Sequence, residues 1–323
     1  LEKTLCAKAR EGVEVKIIFD DFGNIKRFSG ETIDRLREVG VEVFIFNPVH
    51  EYVNRLHFNY RDHRKIACID GDVAYTGGVN IADEYANIIE RFGYWKDSGV
   101  CLEGDGAWGL TASFIRMCVN LGGVMHNEHD YYRPHTPVKS EGFCQPFTDG
   151  PQNNPDNPAE DVFLQMISGA RRFLYITTPY FIPDGSVMRA LCIAGDGGVD
   201  VRLMLPGKPD HWYADCVAES YFGELIKHGV KVYRYTPGFL HGKSIMVDRV
   251  AAFVGSVNMD YRSFELDYEC GVMVYSAPMI ESLLEDMDMI VDHSRLVTKE
   301  EWAKRSVLRR VFEPLLRLFA IWM

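Results

Sequence analysis

The chain has 323 residues, 47% of them apolar and 25% charged, a balance that excludes a disordered or low-complexity protein. That length suits two domains of ordinary size, each with its own core. A formal charge of −11 argues against a general nucleic-acid surface but leaves room for an anionic substrate held by a few lysines in a cleft.

In chain order, Gly12-Val13-Glu14-Val15-Lys16-Ile17-Ile18 reads as a buried strand, residues 32–39 as an amphipathic helix, and Gly40-Val41-Glu42-Val43-Phe44 as a second strand. The run His63-Arg64-Lys65-Ile66-Ala67-Cys68-Ile69-Asp70 follows, as a strand that ends in the hairpin signal Asp70-Gly71. Residues 74–76 fold back beside it and lead to Gly77-Gly78-Val79-Asn80, then Asp97-Ser98-Gly99-Val100. Pro, Asn, Asp and Gly dominate residues 145–160, which reads as a linker.

The same order then repeats. Gly198-Val199-Asp200-Val201-Arg202-Leu203-Met204, a helix over 214–228, Gly229-Val230-Lys231-Val232-Tyr233 and His241-Gly242-Lys243-Ser244-Ile245-Met246-Val247-Asp248 match their earlier counterparts. Gly255-Ser256-Val257-Asn258 and Glu269-Cys270-Gly271-Val272 complete the copy. Alternating helices and strands, twice over, predict an α/β protein of two duplicated domains, each a mixed sheet flanked by helices, with the site at their pseudo-twofold interface. The expected boundaries are 1–143 for the first domain, 144–160 for the linker and domain entry, 161–300 for the second domain and 301–323 for a C-terminal amphipathic helix. The second copy opens with a helix (163–170) and a strand (173–178) that the first lacks, so about one helix and one strand are expected before Leu1.

Both motifs read H-x-K-x-x-x-x-D, then six residues, then a small pair and an Asn. A single H-x-K is ordinarily a solvated strand face; two with identical spacing can bring two histidines to one phosphodiester. Imidazole can attack phosphorus or protonate a leaving oxygen near neutral pH. Along a strand His63 and Lys65 share a face, as do His241 and Lys243. Lys65, Lys243, Asn80 and Asn258 are candidate phosphate ligands, with a hydroxyl added by Ser256 that Gly78 cannot match. A nucleophilic imidazole needs its other nitrogen fixed, and the acid of each half supplies a candidate: Asp97 for His63 and Glu269 for His241. Asp70 and Asp248 complete the motifs on the opposite strand face, as turn formers or salt bridges between the halves. His126 and His129 have H-x-x-H spacing without an evident third ligand, so no metal is predicted. Tyr180-Phe181 fits packing or a cleft wall. Eight cysteines stand singly, with no C-x-x-C pair, the pattern of reduced thiols facing the cytoplasm.

These paired motifs resemble the phospholipase D superfamily, whose signature is HxK(x)4D(x)6G(G/S)xN. Asn80-Ile81-Ala82-Asp83-Glu84-Tyr85, Thr177-Thr178-Pro179-Tyr180-Phe181-Ile182-Pro183-Asp184 and Asn258-Met259-Asp260-Tyr261-Arg262-Ser263 are similar to bacterial cardiolipin synthases. The resemblance runs over essentially the whole chain. It implies transfer of a phosphatidyl group between two phosphatidylglycerol molecules, giving cardiolipin and glycerol through a phosphohistidine, without cofactor or metal. It also implies the cell membrane as the location, with the catalytic domains on the cytoplasmic side. The family's assignment makes His63 the nucleophile and His241 the acid/base; the sequence itself leaves them interchangeable. A lipid hydrolase and a nuclease are the alternatives on the same motifs, the acidic balance weighing against nucleic acid. Residues 307–323, with Arg309, Arg310 and Arg317 among apolar residues and Pro314 within, are too short to span a bilayer. They suit an anionic membrane surface or packing on the second domain.

Overall fold

The computed structural model describes residues 1–24, 28–49, 59–126, 131–139, 142–153, 156–275, 277–305 and 316–318. The first half runs α1 (Glu2–Arg10), β1 (Lys16–Asp20), α2 (Asp21–Asn24), α3 (Gly30–Glu38), β2 (Glu42–Phe46) and β3 (Arg61–Asp62). The motif strand β4 (Ile66–Ile69), β5 (Val73–Gly77), β6 (Tyr94–Lys96), β7 (Gly99–Glu103) and α4 (Trp108–Asn120) follow. β8 (Phe143–Asp149) leads to α5 (Pro158–Gly169), β9 (Phe173–Thr177), β10 (Phe181–Ile182), α6 (Gly185–Asp196), β11 (Asp200–Pro206), α7 (Trp212–Lys227) and β12 (Lys231–Tyr235). Then come β13 (Gly238–Leu240), the motif strand β14 (Ser244–Val247), β15 (Ala251–Gly255), β16 (Met259–Asp260), α8 (Tyr261–Glu265), β17 (Asp267–Tyr275), α9 (Pro278–Asp292), β18 (Ser294–Leu296) and α10 (Lys299–Ala303).

Local chemistry starts the helices where the sequence puts a cap. Ser29 accepts the Thr32 N–H at the head of α3, and Asp184 takes those of Ser186 and Val187 at the head of α6. The predicted hairpin forms too: Asp70 and Gly71 both take positive φ, 53° and 74°, which that tight turn requires.

In the second half one mixed sheet runs β18-β12-β11-β9-β14-β15-β17, with β9 as its pivot, parallel to β11 and antiparallel to β14. Helices α5, α6 and α7 cover one face through Phe163, Leu191 and Phe222, and α9 covers the other through Leu283 and Met287. The first half has the same parts without the pivot. β1 pairs with β2 alone, and β4-β5-β7 forms a separate sheet. Among the described residues nothing fills the place that α5 and β9 take in the second half. A cavity of about 1550 Å³ lies there, lined by β1 from Lys16 to Asp20 and by Ile66 and Ala67 of β4. The halves share one core: Ala74, Val100 and Leu102 pack in the same cluster as Val254, Val272 and Met287.

Part of the expected linker belongs to the sheet. β8 runs antiparallel along β17 from Phe143↔Tyr275 to Asp149↔Glu269. Pro146, which suggested a loop, sits on an edge strand, where a missing N–H costs no ladder bond. Buried Asp149 then accepts from Gly150 and Ala159, fastening the start of α5. At the other end, Leu316 packs against the second-half core and the Arg317 guanidinium lies 3.9 Å from the Tyr221 ring centroid. Residues 306–315 and 319–323 of the expected terminal helix lie outside the described residues. No helix among the described residues is long and apolar enough to cross a membrane.

Candidate active site at the junction of the halves

The segment that leads into each motif strand is held by the other half. β3 pairs in parallel with the start of β17, Tyr268 opposite Asp62, and the His63 N–H donates to Tyr268 O at 2.9 Å. β6 pairs in parallel with β13, Leu240 opposite Lys96, and the His241 N–H donates to Lys96 O at 2.6 Å. The acid of each half comes one residue after that contact and so meets the histidine of the opposite half. Glu269 Oε1 lies 2.8 Å from His63 Nδ1, and Asp97 Oδ2 lies 2.7 Å from His241 Nδ1. The expected pairings within each half, Asp97 with His63 and Glu269 with His241, are therefore corrected to an exchange between halves. Nothing within one copy of the repeat announces it, because the exchange depends on how the two sheets meet.

The lysines keep the symmetry. Lys65 Nζ donates to His63 O and Lys243 Nζ to His241 O, each at 2.6 Å, a bond that uses one of three ammonium protons. Burial lowers both lysines, Lys243 to about 7. Burial, then the charges of Lys65, Lys243 and Arg262, hold His63 well below its ordinary range. Burial and Lys243 bring His241 to about 3, against the pull of Asp97. Asp97 is pushed up by burial but ends below the ordinary carboxylate value, because His241 and Lys243 outweigh it. Glu269, fully buried, is pushed up to about 7 despite Lys65 and a bond from Ser256. Lys243 acts on His63 and Lys65 on His241, so the six groups share one field. Ionised Asp97 fixes the proton on His241 Nδ1, and Glu269 does the same for His63 once it ionises near pH 7, which leaves each Nε2 for chemistry. An anion bound beside the two lysines would offset their charge and raise both imidazoles.

Not every motif residue joins them. Ser256, expected on phosphate, is fully buried; its hydroxyl donates to Glu269 Oε2 and accepts from Cys270 N. It holds the carboxylate instead. A side chain at Gly78, its counterpart, would collide with Asp97 Oδ1, so the small residue there makes room for the acid. Asp248 accepts from the backbone N–H groups of Arg171, Arg172 and Phe173, tying its turn to the head of β9, and Asp70 is an exposed turn residue. Among the described residues neither forms the salt bridge between halves that was one reading of them, and neither contacts the histidines. Asn80 lines the cavity with His63 and Lys65, while Asn258 is buried. Tyr180 lines a small pocket beside Phe239 and donates to Asp210, whereas Phe181 is core. His126 stacks on Tyr131 and pairs with Glu14 at 3.5 Å; His129 lies outside the described residues.

Sequence reasoning missed the aromatic wall at His241: Trp95, Tyr85 and Phe239 have ring centroids 5.3, 5.4 and 5.8 Å from the imidazole. It also missed Asp267, beside Arg262 at 3.3 Å and held well above the carboxylate range by burial. Trp95 Nε1, Asn258 Oδ1 and Asp267 Oδ1 are buried without a partner among the described residues. His63, Asp267 and Glu269 are the one possible metal-ligand group among the described residues. Lys65 and Arg262 stand against a cation there.

Residues 1–88 and 163–291 match the family described as cardiolipin synthase, PLD-like domain. This chain belongs to that family. The cardiolipin synthase of Halalkalibacterium halodurans is 37% identical over 322 residues, covering 99% of this chain and 63% of that protein. The major cardiolipin synthase of Bacillus subtilis is 37% identical over 326 residues, at 99% and 66%. An uncharacterized protein of Streptococcus mutans is 36% identical over 317 residues, at 97% and 68%. The chain thus spans about two thirds of the length of these relatives. Among solved structures, the phosphatidylserine synthase of Haemophilus influenzae has the same fold, with a TM-score of 0.66 at 14% identity over 99% of this chain and 90% of that one.

Proposed function

We propose that this chain carries the catalytic halves of a cardiolipin synthase, moving a phosphatidyl group from one phosphatidylglycerol to the hydroxyl of another. The observation that carries the reading is the crossed pair of imidazole–carboxylate contacts beside half-buried Lys65 and buried Lys243. His63 Nε2 attacks phosphorus while the bond to glycerol breaks; protonated His241 gives its proton to the departing alkoxide. The terminal hydroxyl of a second phosphatidylglycerol then attacks, its proton passes to His241, and the phosphorus–nitrogen bond breaks to restore His63. Lys65, Lys243, Asn80 and Asn258 hold the non-bridging oxygens, and Glu269 and Asp97 are positioning residues for the two rings. We place the protein at the cell membrane with the site on the cytoplasmic side, where its eight free thiols stay reduced. Incubation with labelled phosphatidylglycerol followed by lipid separation tests this. Cardiolipin and glycerol are expected; phosphatidic acid in place of cardiolipin would make the protein a hydrolase.

A further inference from the structure

In the second half Glu269 follows Asn258 by eleven positions; in the first, Asp97 follows Asn80 by seventeen. The duplicated frame therefore closes without the six extra residues. The second half uses this stretch to bury Met259 and Phe264. The first does the reverse, exposing Ile81, Ile89 and Tyr94 and leaving Ile88 73% exposed.

The display is ordered. Asn87, at φ 55°, accepts from Trp95 N at 2.7 Å and donates to Trp95 O at 2.9 Å, and the Ile88 N–H donates to Asp83 O at 3.0 Å. Inside the loop Tyr85 packs on Trp95 and His241; at its root Ile81 and Val79 line the cavity that holds His63 and Lys65. A second apolar projection stands beside it. Gly93 lies against Pro237 and Lys208, and four residues beyond Lys208 Trp212 is 69% exposed at the head of α7. Rings run inward from there, Tyr213 to His211 to Tyr180 to Phe239 to His241.

Apolar groups fixed in water around the mouth of a site mark a contact surface. Isoleucine, tryptophan and tyrosine match the boundary between headgroups and acyl chains, and because exposed Asp83 and Glu90 offset Arg91 and Lys208, the attraction is apolar rather than electrostatic. We propose that residues 81–94 and 208–213 seat the mouth of the site on a phospholipid bilayer, so that a lipid reaches His63 and His241 without crossing water. This rests on the reading that the substrates are phospholipids.

The test is sedimentation of the whole chain with vesicles of equal phosphatidylglycerol and phosphatidylcholine, beside turnover of a soluble nitrophenyl phosphodiester. Ile88→Ser/Ile89→Ser and, separately, Trp212→Ala should each weaken vesicle binding about tenfold or more while soluble turnover stays within about twofold. Unchanged soluble turnover shows that a variant is folded. Vesicle binding equal to the parent's in both variants, or a parent that does not bind vesicles, overturns the proposal. So does a parent dimer that both variants abolish, since a second copy would then cover the surface. Absence of soluble turnover in the parent would instead count against the phosphotransfer reading.

Discussion

The two limbs of the site carry the same motif in different surroundings. His63 is 27% exposed, faces the large cavity and is backed by Glu269, a carboxylate that burial keeps protonated up to about pH 7. His241 is 6% exposed, walled by three aromatic rings and backed by Asp97, which its neighbours hold ionised. An ionised partner favours an imidazolium at 241 once an anion is bound. Duplication gives the two histidines one geometry in unlike surroundings, and the proposed division of work rests on that difference: the more open imidazole attacks and the enclosed one carries a proton.

The largest effects should come from the histidines. His63→Ala should abolish turnover of every phosphodiester, because no covalent intermediate can form. His241→Ala should lose about 10²–10⁴-fold with a glycerol leaving group and recover much of that with a nitrophenyl leaving group, which needs no proton. Equal rescue of both variants in a steady-state assay would erase the division.

The carboxylates come next, and they should follow the crossed pairing. Asp97→Asn should lose about 10–100-fold and be rescued by the acidic leaving group, like the His241 variant, whereas Glu269→Gln should lose a similar factor without rescue. Gly78→Ser should resemble Asp97→Asn, because its side chain displaces that carboxylate. The opposite pattern of rescue would restore pairing within each half.

The smallest effect is on stability. Glu269 has a folded value of about 7 against an ordinary 4.5. Its contribution is therefore fully present below about pH 4.5 and lost as pH rises through about 7, worth up to about 3 kcal/mol. Asp97 is shifted the other way, so its contribution is present above the ordinary carboxylate value and lost in acid. Urea midpoints should show Glu269→Gln gaining on the parent between about pH 5 and 8, while Asp97→Asn shows no such gain in that window. Parallel curves for both variants would mean that the two acids have equivalent surroundings.

What the sequence disclosed follows from how local each feature is. Motif spacing, the Asp70-Gly71 turn and the strands after each Gly-Val depend on neighbours in the chain, and all could be read. The helix and strand that open the second copy could be read as well, and they are α5 and β9. The acid partners could not, because Glu269 reaches His63 only through the pairing of β3 with β17. Nor could β8, whose Pro146 signals a loop until an edge position accommodates it. The aromatic wall at His241 is drawn from residues 85, 95 and 239, too scattered for any pattern to join.

The most direct measurement is a denaturing alkaline quench, which preserves a phosphorus–nitrogen bond, of the chain during turnover of ³²P-labelled phosphatidylglycerol, followed by peptide mapping of the label at alkaline pH. The account predicts phosphorus on His63, and none there when Glu269→Gln slows its formation below that of the second step. Label on His241 would reverse the two roles, and label on neither histidine would contradict the covalent mechanism.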